Sequence, residues 1–212
     1  MDNLVIVGCG APARYVIDIV TENREYNILG LVDLESANRI NEIVNDVQVV
    51  CVLEEIDNYF SSKTSKVIVA HGDFSLKFNA INYLFEREYQ FGSAISSLAF
   101  ISKFANIGVG CILNPNVVVM PNARVGDHVV IHSHSVVEHD NVIEDYCNLA
   151  PGVSIAGNVV VGKGSYIFTG ASVKNNVCIG SGCIVAAGAV VTKDIADNQT
   201  VAGVPAEILC KK

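Results

Sequence analysis

The sequence predicts an α/β domain with a small parallel sheet, followed by a long parallel β-helix. Three observations predict it. An aliphatic residue stands at every sixth position from Ile101 to Val191. Glycines recur eighteen residues apart within that stretch. Ahead of it, short apolar runs alternate with amphipathic segments, the pattern of strands and helices in a parallel sheet.

The six-residue register reads Ile101, Ile107, Leu113, Val119, Val125, Ile131, Val137, Ile143, Leu149, Ile155, Val161, Ile167, Val173, Ile179, Val185 and Val191. Neither the 3.6 period of a helix nor the period of 2 of a strand demands this. The residue two places earlier is small or β-branched throughout, from Ala105 to Ala189, with Asn141 the one larger polar exception. Residues two apart point to the same side of a strand, so the two registers together line the inside of a narrow prism. Gly108, Gly126, Gly162 and Gly180 follow the aliphatic at spacings of eighteen, or twice that across Glu144. Three hexads therefore make one coil, about five coils make the helix, and stacking creates the core. Cys111, Cys147 and Cys183 fall on the small interior register and read as packed thiols. Val118, Val130 and Val160 fall off it and are expected to face outward, as candidates for an apolar interface.

The front of the chain reads as strand, glycine loop and helix. Leu4–Val7 ends in Gly8-Cys9-Gly10, and a helix with Val16, Ile17, Ile19 and Val20 follows. Further strands are expected at Leu29–Asp33, Val47–Leu53 and Lys66–Ala70, then a helix from Phe74 to Arg87. Ligands of such sheets sit off the carboxyl ends of the strands. Those ends carry Gly8–Pro12, Asp33 and His71–Asp73. Gly8-x-Gly10 with an acid ending the second strand is a partial dinucleotide fingerprint without its third glycine. The same residues also suit a tight strand-to-helix turn with Pro12 at the first helical position. The boundary is placed between residues 1–92 and 93–212.

A formal net charge of -8 argues against a nucleic-acid partner. No apolar run is long enough to span a bilayer, the first residues lack a basic leader, and the cysteines lack C-x-x-C or metal spacing. The expectation is a reduced, cytoplasmic protein.

A partial Rossmann-like domain joined to six-residue coils and closing on Val201-Ala202-Gly203-Val204-Pro205-Ala206 resembles bacterial nucleotide-sugar acetyltransferases with hexapeptide repeats. These act in the bacillosamine, perosamine and sialic acid routes. The resemblance implies that the β-helix is left-handed and that the chain is a homotrimer with sites between neighbours. It also implies direct transfer of an acetyl group from acetyl-CoA to the amine of a nucleotide-linked sugar, a 4-amino-4,6-dideoxy sugar.

The family's catalytic base lies in a Val/Ile-Glu-His-acid segment, here Val137-Glu138-His139-Asp140. An imidazole accepts a proton near neutrality, and an adjacent carboxylate favours the imidazolium that forms. The resemblance therefore makes His139 the general base and Asp140 its partner. Asn148 stands nine residues on, where relatives carry a second histidine, and its amide is a hydrogen-bond donor there. Gly157, Thr169 and Ala187 fall on positions that line the CoA groove. In the front domain the implied contacts to the nucleotide-linked substrate are Gly8, Gly10, Ala11, Pro12, Arg14, Asp33 and Gly72. Pro12 replaces the family's loop histidine, Arg14 supplies a positive charge nearby, and Leu34 stands where a second acid often follows Asp33.

Three other readings are open to the sequence. The hydroxyl of a sialic-type sugar needs the same base as an amine. His128, His132 and His134 near His139 also fit the zinc-binding β-helix of gamma-class carbonic anhydrases, a reading that leaves the front domain unexplained; no metal is expected. A non-catalytic sugar-nucleotide binder is the third. Lys211 and Lys212 read as a solvated tail.

Overall fold

A computed structural model describes residues 1–209; Lys211 and Lys212 lie outside the described residues. The chain divides into two compact units, Met1–Ser97 and Leu98–Lys212.

The front unit is built on β1 (Asp2–Val7), α1 (Ala11–Asn23), β2 (Tyr26–Asp33), β3 (Ile43–Val44), β4 (Val47–Val52), α2 (Ile56–Tyr59), β5 (Ser65–Val69), α3 (Phe74–Phe85) and β6 (Gln90–Phe91). The sheet order is β3-β4-β2-β1-β5-β6. All pairings are parallel except β3 with β4. That edge hairpin was not read from the sequence. Its signal is Asn45-Asp46 between Val44 and Val47, and both residues take the positive φ a tight hairpin requires. Leu4, Val5, Ile6 and Val7 are fully buried, as are Val67 and Ile68 beside them. β1 is the central strand, and β2 and β5 flank it. The loops after these three strands therefore share the carboxyl end of the sheet.

The second unit is a triangular prism of two-residue strands. Its first face stacks Phe100–Ile101, Val118–Val119, Val136–Val137, Ser154–Ile155, Ser172–Val173 and Val190–Val191. The second stacks Asn106–Ile107, Arg124–Val125, Val142–Ile143, Val160–Val161 and Cys178–Ile179. The third stacks Ile112–Leu113, Val130–Ile131, Asn148–Leu149, Tyr166–Ile167 and Ile184–Val185, then Thr200–Ala202 with its antiparallel partner Glu207–Ile208. Strands pair in parallel with those eighteen residues away, as with Val118↔Val136 and Val119↔Val137.

Both interior registers are buried from Cys111 onward, with Leu113, Ile131, Leu149, Ile155 and Ile167 at 0% exposure. Asn141 is also at 0%. Its amide is satisfied between coils: Nδ2 donates to the Ile155 carbonyl at 3.4 Å and Oδ1 accepts from the Val159 amide at 2.7 Å. Ser135 and Ser165 link coils in the same way. Burial pushes the Cys147 thiol up to about 12, which removes it as a nucleophile.

Each corner turns through one residue of positive φ, where Asn, Asp and Gly are favoured. The first corner, between the first and second faces, uses Asn122, Asp140, Asn158 and Asn176. The second uses Gly110, His128, Tyr146, Gly164 and Gly182. The third uses Asn116, His134, Gly152, Gly170 and Gly188. The glycine column at Gly108 and Gly126 has a different cause. A Cβ on Gly126 would lie 2.8 Å from the Asp145 amide nitrogen and 3.0 Å from the Glu144 carbonyl carbon, so close stacking excludes it.

Candidate functional site

His139 and Asp140 lie on the first corner of the middle coil. The turn at Asp140 has φ +59. His139 Nδ1 meets Asp140 Oδ2 at 2.8 Å. Asp140 Oδ1 accepts from Asn122 Nδ2, one coil earlier, at 3.0 Å. The hydrogen bond from His139, and then that from Asn122, hold the Asp140 carboxyl below its ordinary value of 3.8. A carboxylate on Nδ1 selects the tautomer that leaves Nε2 as the acceptor. The His139 side chain is 53% exposed. Gly157, eighteen residues on, is buried under the ring: a Cβ there would lie 2.6 Å from Cε1 and 2.7 Å from Nε2. Asn122 was not singled out from sequence. Its signal is its register, one coil before Asp140.

The remaining β-helix candidates lie elsewhere on the prism. Asn148 is on the third face, and its Oδ1 is buried with no hydrogen-bond partner among the described residues. Thr169 and Ala187 are exposed on the third corner, next to Gly170 and Gly188. A Cβ at Gly152, Gly170 or Gly188 would meet nothing within 4 Å, so this corner presents a strip of bare backbone. One copy of the chain therefore gathers His139, Asp140 and Gly157, and holds Asn148, Thr169 and Ala187 apart from them. The other histidines are close to His139 only in sequence. His128 stacks on Tyr146 at the second corner, with ring centroids 5.4 Å apart. His132 and His134 meet Asn114 and Asn116 at the third. Among the described residues no group of three or more His, Cys, Asp or Glu is placed to hold a metal ion.

In the front unit the loop residues differ in what holds them. Gly8 has φ +122 and a Cβ would collide with the Ala70 carbonyl, so this glycine is required by the sheet itself. Gly10 caps α1 with no side-chain hydrogen bond, and a Cβ there would touch only Pro12, at 3.7 Å. Ala11 and Pro12 form the first turn of α1, and Arg14 is exposed one turn on. Gly72 has open space around it. Asp33 is 3% exposed; Oδ1 accepts from the Glu35 amide at 3.0 Å. Its Oδ2 is buried with no partner among the described residues, an acceptor left for a donor from outside. Burial, and then the Asp33 charge, push the neighbouring Cys9 thiol up to about 12. Arg39 forks onto Glu42 at 2.7 and 2.8 Å. Arg39, and more weakly Arg14, hold the Glu42 carboxyl below its ordinary value. Arg39 and Glu42 were not read from the sequence, because no spacing ties them to the glycine loop.

Comparison with known proteins gives the chain its relatives. Residues 3–84 match the PglD N-terminal domain, and residues 104–139 match the bacterial transferase hexapeptide (six repeats). No curated protein sequence matches the chain. A perosamine N-acetyltransferase from Caulobacter crescentus, solved with CoA and GDP-perosamine, is similar in structure at a TM-score of 0.90 and 28% identity, covering 100% of this chain and 98% of that one. The acetyltransferase domain of PglB from Neisseria gonorrhoeae FA1090 is similar at 0.91 and 27%, covering 99% and 100%. WeeI from Acinetobacter baumannii AYE is similar at 0.86 and 26%, covering 99% and 100%. The fold is the expected one, a parallel-sheet front domain followed by a left-handed parallel β-helix. With a PglD-type front unit and bacterial transferase hexapeptide coils in a single chain, the protein is an acetyltransferase that resembles the hexapeptide-repeat acetyltransferases along its whole length.

Proposed function

We propose that the protein transfers an acetyl group from acetyl-CoA directly to the amine of a nucleotide-linked amino sugar, with His139 as general base. The observation that carries this reading is the hydrogen-bonded series Asn122–Asp140–His139, which occupies Nδ1 and leaves Nε2 to accept a proton. Similarity to N-acetyltransferases over the whole chain supports the donor and the acceptor class.

In this mechanism Nε2 takes the proton of the amine as its nitrogen bonds to the thioester carbonyl carbon. Asp140 steadies the imidazolium so formed. The C–S bond then breaks, and the CoA sulfur takes the proton from the His139 imidazolium and leaves as the thiol, which restores the neutral base. The Asn148 amide lies buried without a partner for its oxygen and suits a contact to the acetyl group or the CoA chain. The backbone strip beside Thr169 and Ala187 suits an extended chain whose amides pair with peptide groups. Its openness supports that fit. No metal takes part in this mechanism.

These contacts lie apart from His139 within one copy, so the reading places the complete site between copies of a homotrimer. Nucleotide recognition belongs to Gly8, Gly10, Ala11, Pro12, Arg14, Asp33 and Gly72, with the free Asp33 Oδ2 accepting from a hydroxyl or ring N–H. Among the described residues no helix is long and apolar enough to cross a membrane, and we assign the reaction to the cytoplasm.

The test is thiol release from acetyl-CoA with UDP-, dTDP- and GDP-linked 4-amino sugars and with free sialic acid. Turnover with one of the nucleotide-linked amines is expected. Acetylation of free sialic acid alone would overturn the acceptor assignment.

A further inference from the structure

The first three coils carry a cleft that borders the Asn122–Asp140 pair and lies apart from the donor strip. Its volume is about 380 Å³, and it is lined by Phe104, Asn106, Asn122, Arg124, Asp140 and Val142. Asp140 and Asn122 form the wall nearest His139. Arg124 points outward from the second face, between Asn106 and Val142 on the neighbouring strands. It also borders a second cleft of about 330 Å³ that includes Glu144 and Lys163. Among the described residues no acid forms an ion pair with Arg124. An unpaired guanidinium keeps its fork of donors for an oxygen anion. Phe104 is 61% exposed at the same opening, with Lys103 Nζ 4.9 Å from its ring centroid on one side.

The order of coils separates the two reactants. The cleft belongs to the first three coils. Asn148, Gly157, Thr169 and Ala187 belong to the third, fourth and fifth. A base on the third coil thus has one approach from each end of the prism.

We propose that this cleft is the acceptor's seat and that Arg124 binds an anionic oxygen group of the acceptor, a phosphate or a carboxylate, so that its amine faces His139. The inference rests on the acetyl-transfer reading for the identity of the reaction and on the cleft alone for binding. Arg124 is a binding and positioning residue here. Phe104 lies against the sugar ring, and the Asn106 amide meets its hydroxyls.

The experiment compares wild type with Arg124→Ala and Arg124→Lys. Titration calorimetry with an amino-sugar 1-phosphate, an amino-sugar carboxylate and a neutral methyl glycoside of the amino sugar reads binding without turnover. For whichever anionic probe binds the wild type, Arg124→Ala is expected to raise Kd about tenfold or more. The neutral glycoside changes little, and Arg124→Lys recovers part of the loss. The phosphate and carboxylate arms separate the two sources of the anion. In steady state, Arg124→Ala raises the acceptor KM and leaves the acetyl-CoA KM unchanged. Equal Kd values for wild type and Arg124→Ala overturn the proposal, as does an equal loss on the neutral probe or binding of no anionic probe by the wild type. Wild type that binds an anionic probe through Arg124 but releases no thiol with any acceptor overturns acetyl transfer and leaves the anion site standing.

Discussion

The His139 imidazole lies over Gly157, so closely that a single added methyl would sit 2.7 Å from Nε2. Coil stacking at a spacing of eighteen residues sets this contact. It leaves the ring one side for a partner, which Asp140 fills, and one nitrogen for chemistry.

Gly157→Ala is expected to push the ring off Asp140. A displacement near 1 Å costs catalysis up to about a hundredfold. Steady-state kinetics should show kcat falling while the melting temperature changes little, since His139 is free to swing into solvent. An unchanged kcat would show that ring placement does not matter.

His139→Ala is expected to lower the rate by about a hundredfold to ten-thousandfold, the range for loss of a general base. Asp140→Asn should cost less, because the imidazole keeps its place while the imidazolium that forms loses its charged partner. Thiol-release assays across pH check both.

The hydrogen bonds from His139 and Asn122 hold Asp140 below its ordinary value of 3.8. They therefore stabilise the fold fully above that pH, and their contribution disappears as pH falls through the lower native value. Carbon-13 NMR of the Asp140 carboxyl should give a midpoint below 3.8, and His139→Ala should move it upward.

Gly8→Ala combines a φ of +122 with a collision at the Ala70 carbonyl. A loss of about 1–3 kcal/mol is expected from backbone strain. Gly10→Ala, with nothing closer than Pro12 at 3.7 Å, should fold normally and instead weaken nucleotide-sugar binding. Urea denaturation and calorimetry distinguish the two glycines.

Asn141→Leu removes the acceptor of the Val159 amide inside the prism. A buried N–H left unpaired costs about 1–3 kcal/mol. Asn141→Ser should recover much of it, since Ser135 and Ser165 perform the same link in other coils. Chemical denaturation of both variants checks the order.

The sequence by itself determined the β-helix. Sixteen aliphatics in a strict register of six admit one packing, because every coil repeats the same inward residue over the same neighbour. It also determined the alternation of the front sheet and the His139–Asp140 pair, which are adjacent in the chain and need only one turn to meet. Only the tertiary structure decided what lies one coil away. Asn122 one coil before Asp140, Gly157 one coil after His139 and the dispersal of His128, His132 and His134 to other corners all depend on where a coil of eighteen closes. The same holds for the free Asp33 oxygen and for the cleft around Arg124. A residue's own identity gives its donors and acceptors; whether any is left unpaired is settled by neighbours far away in sequence.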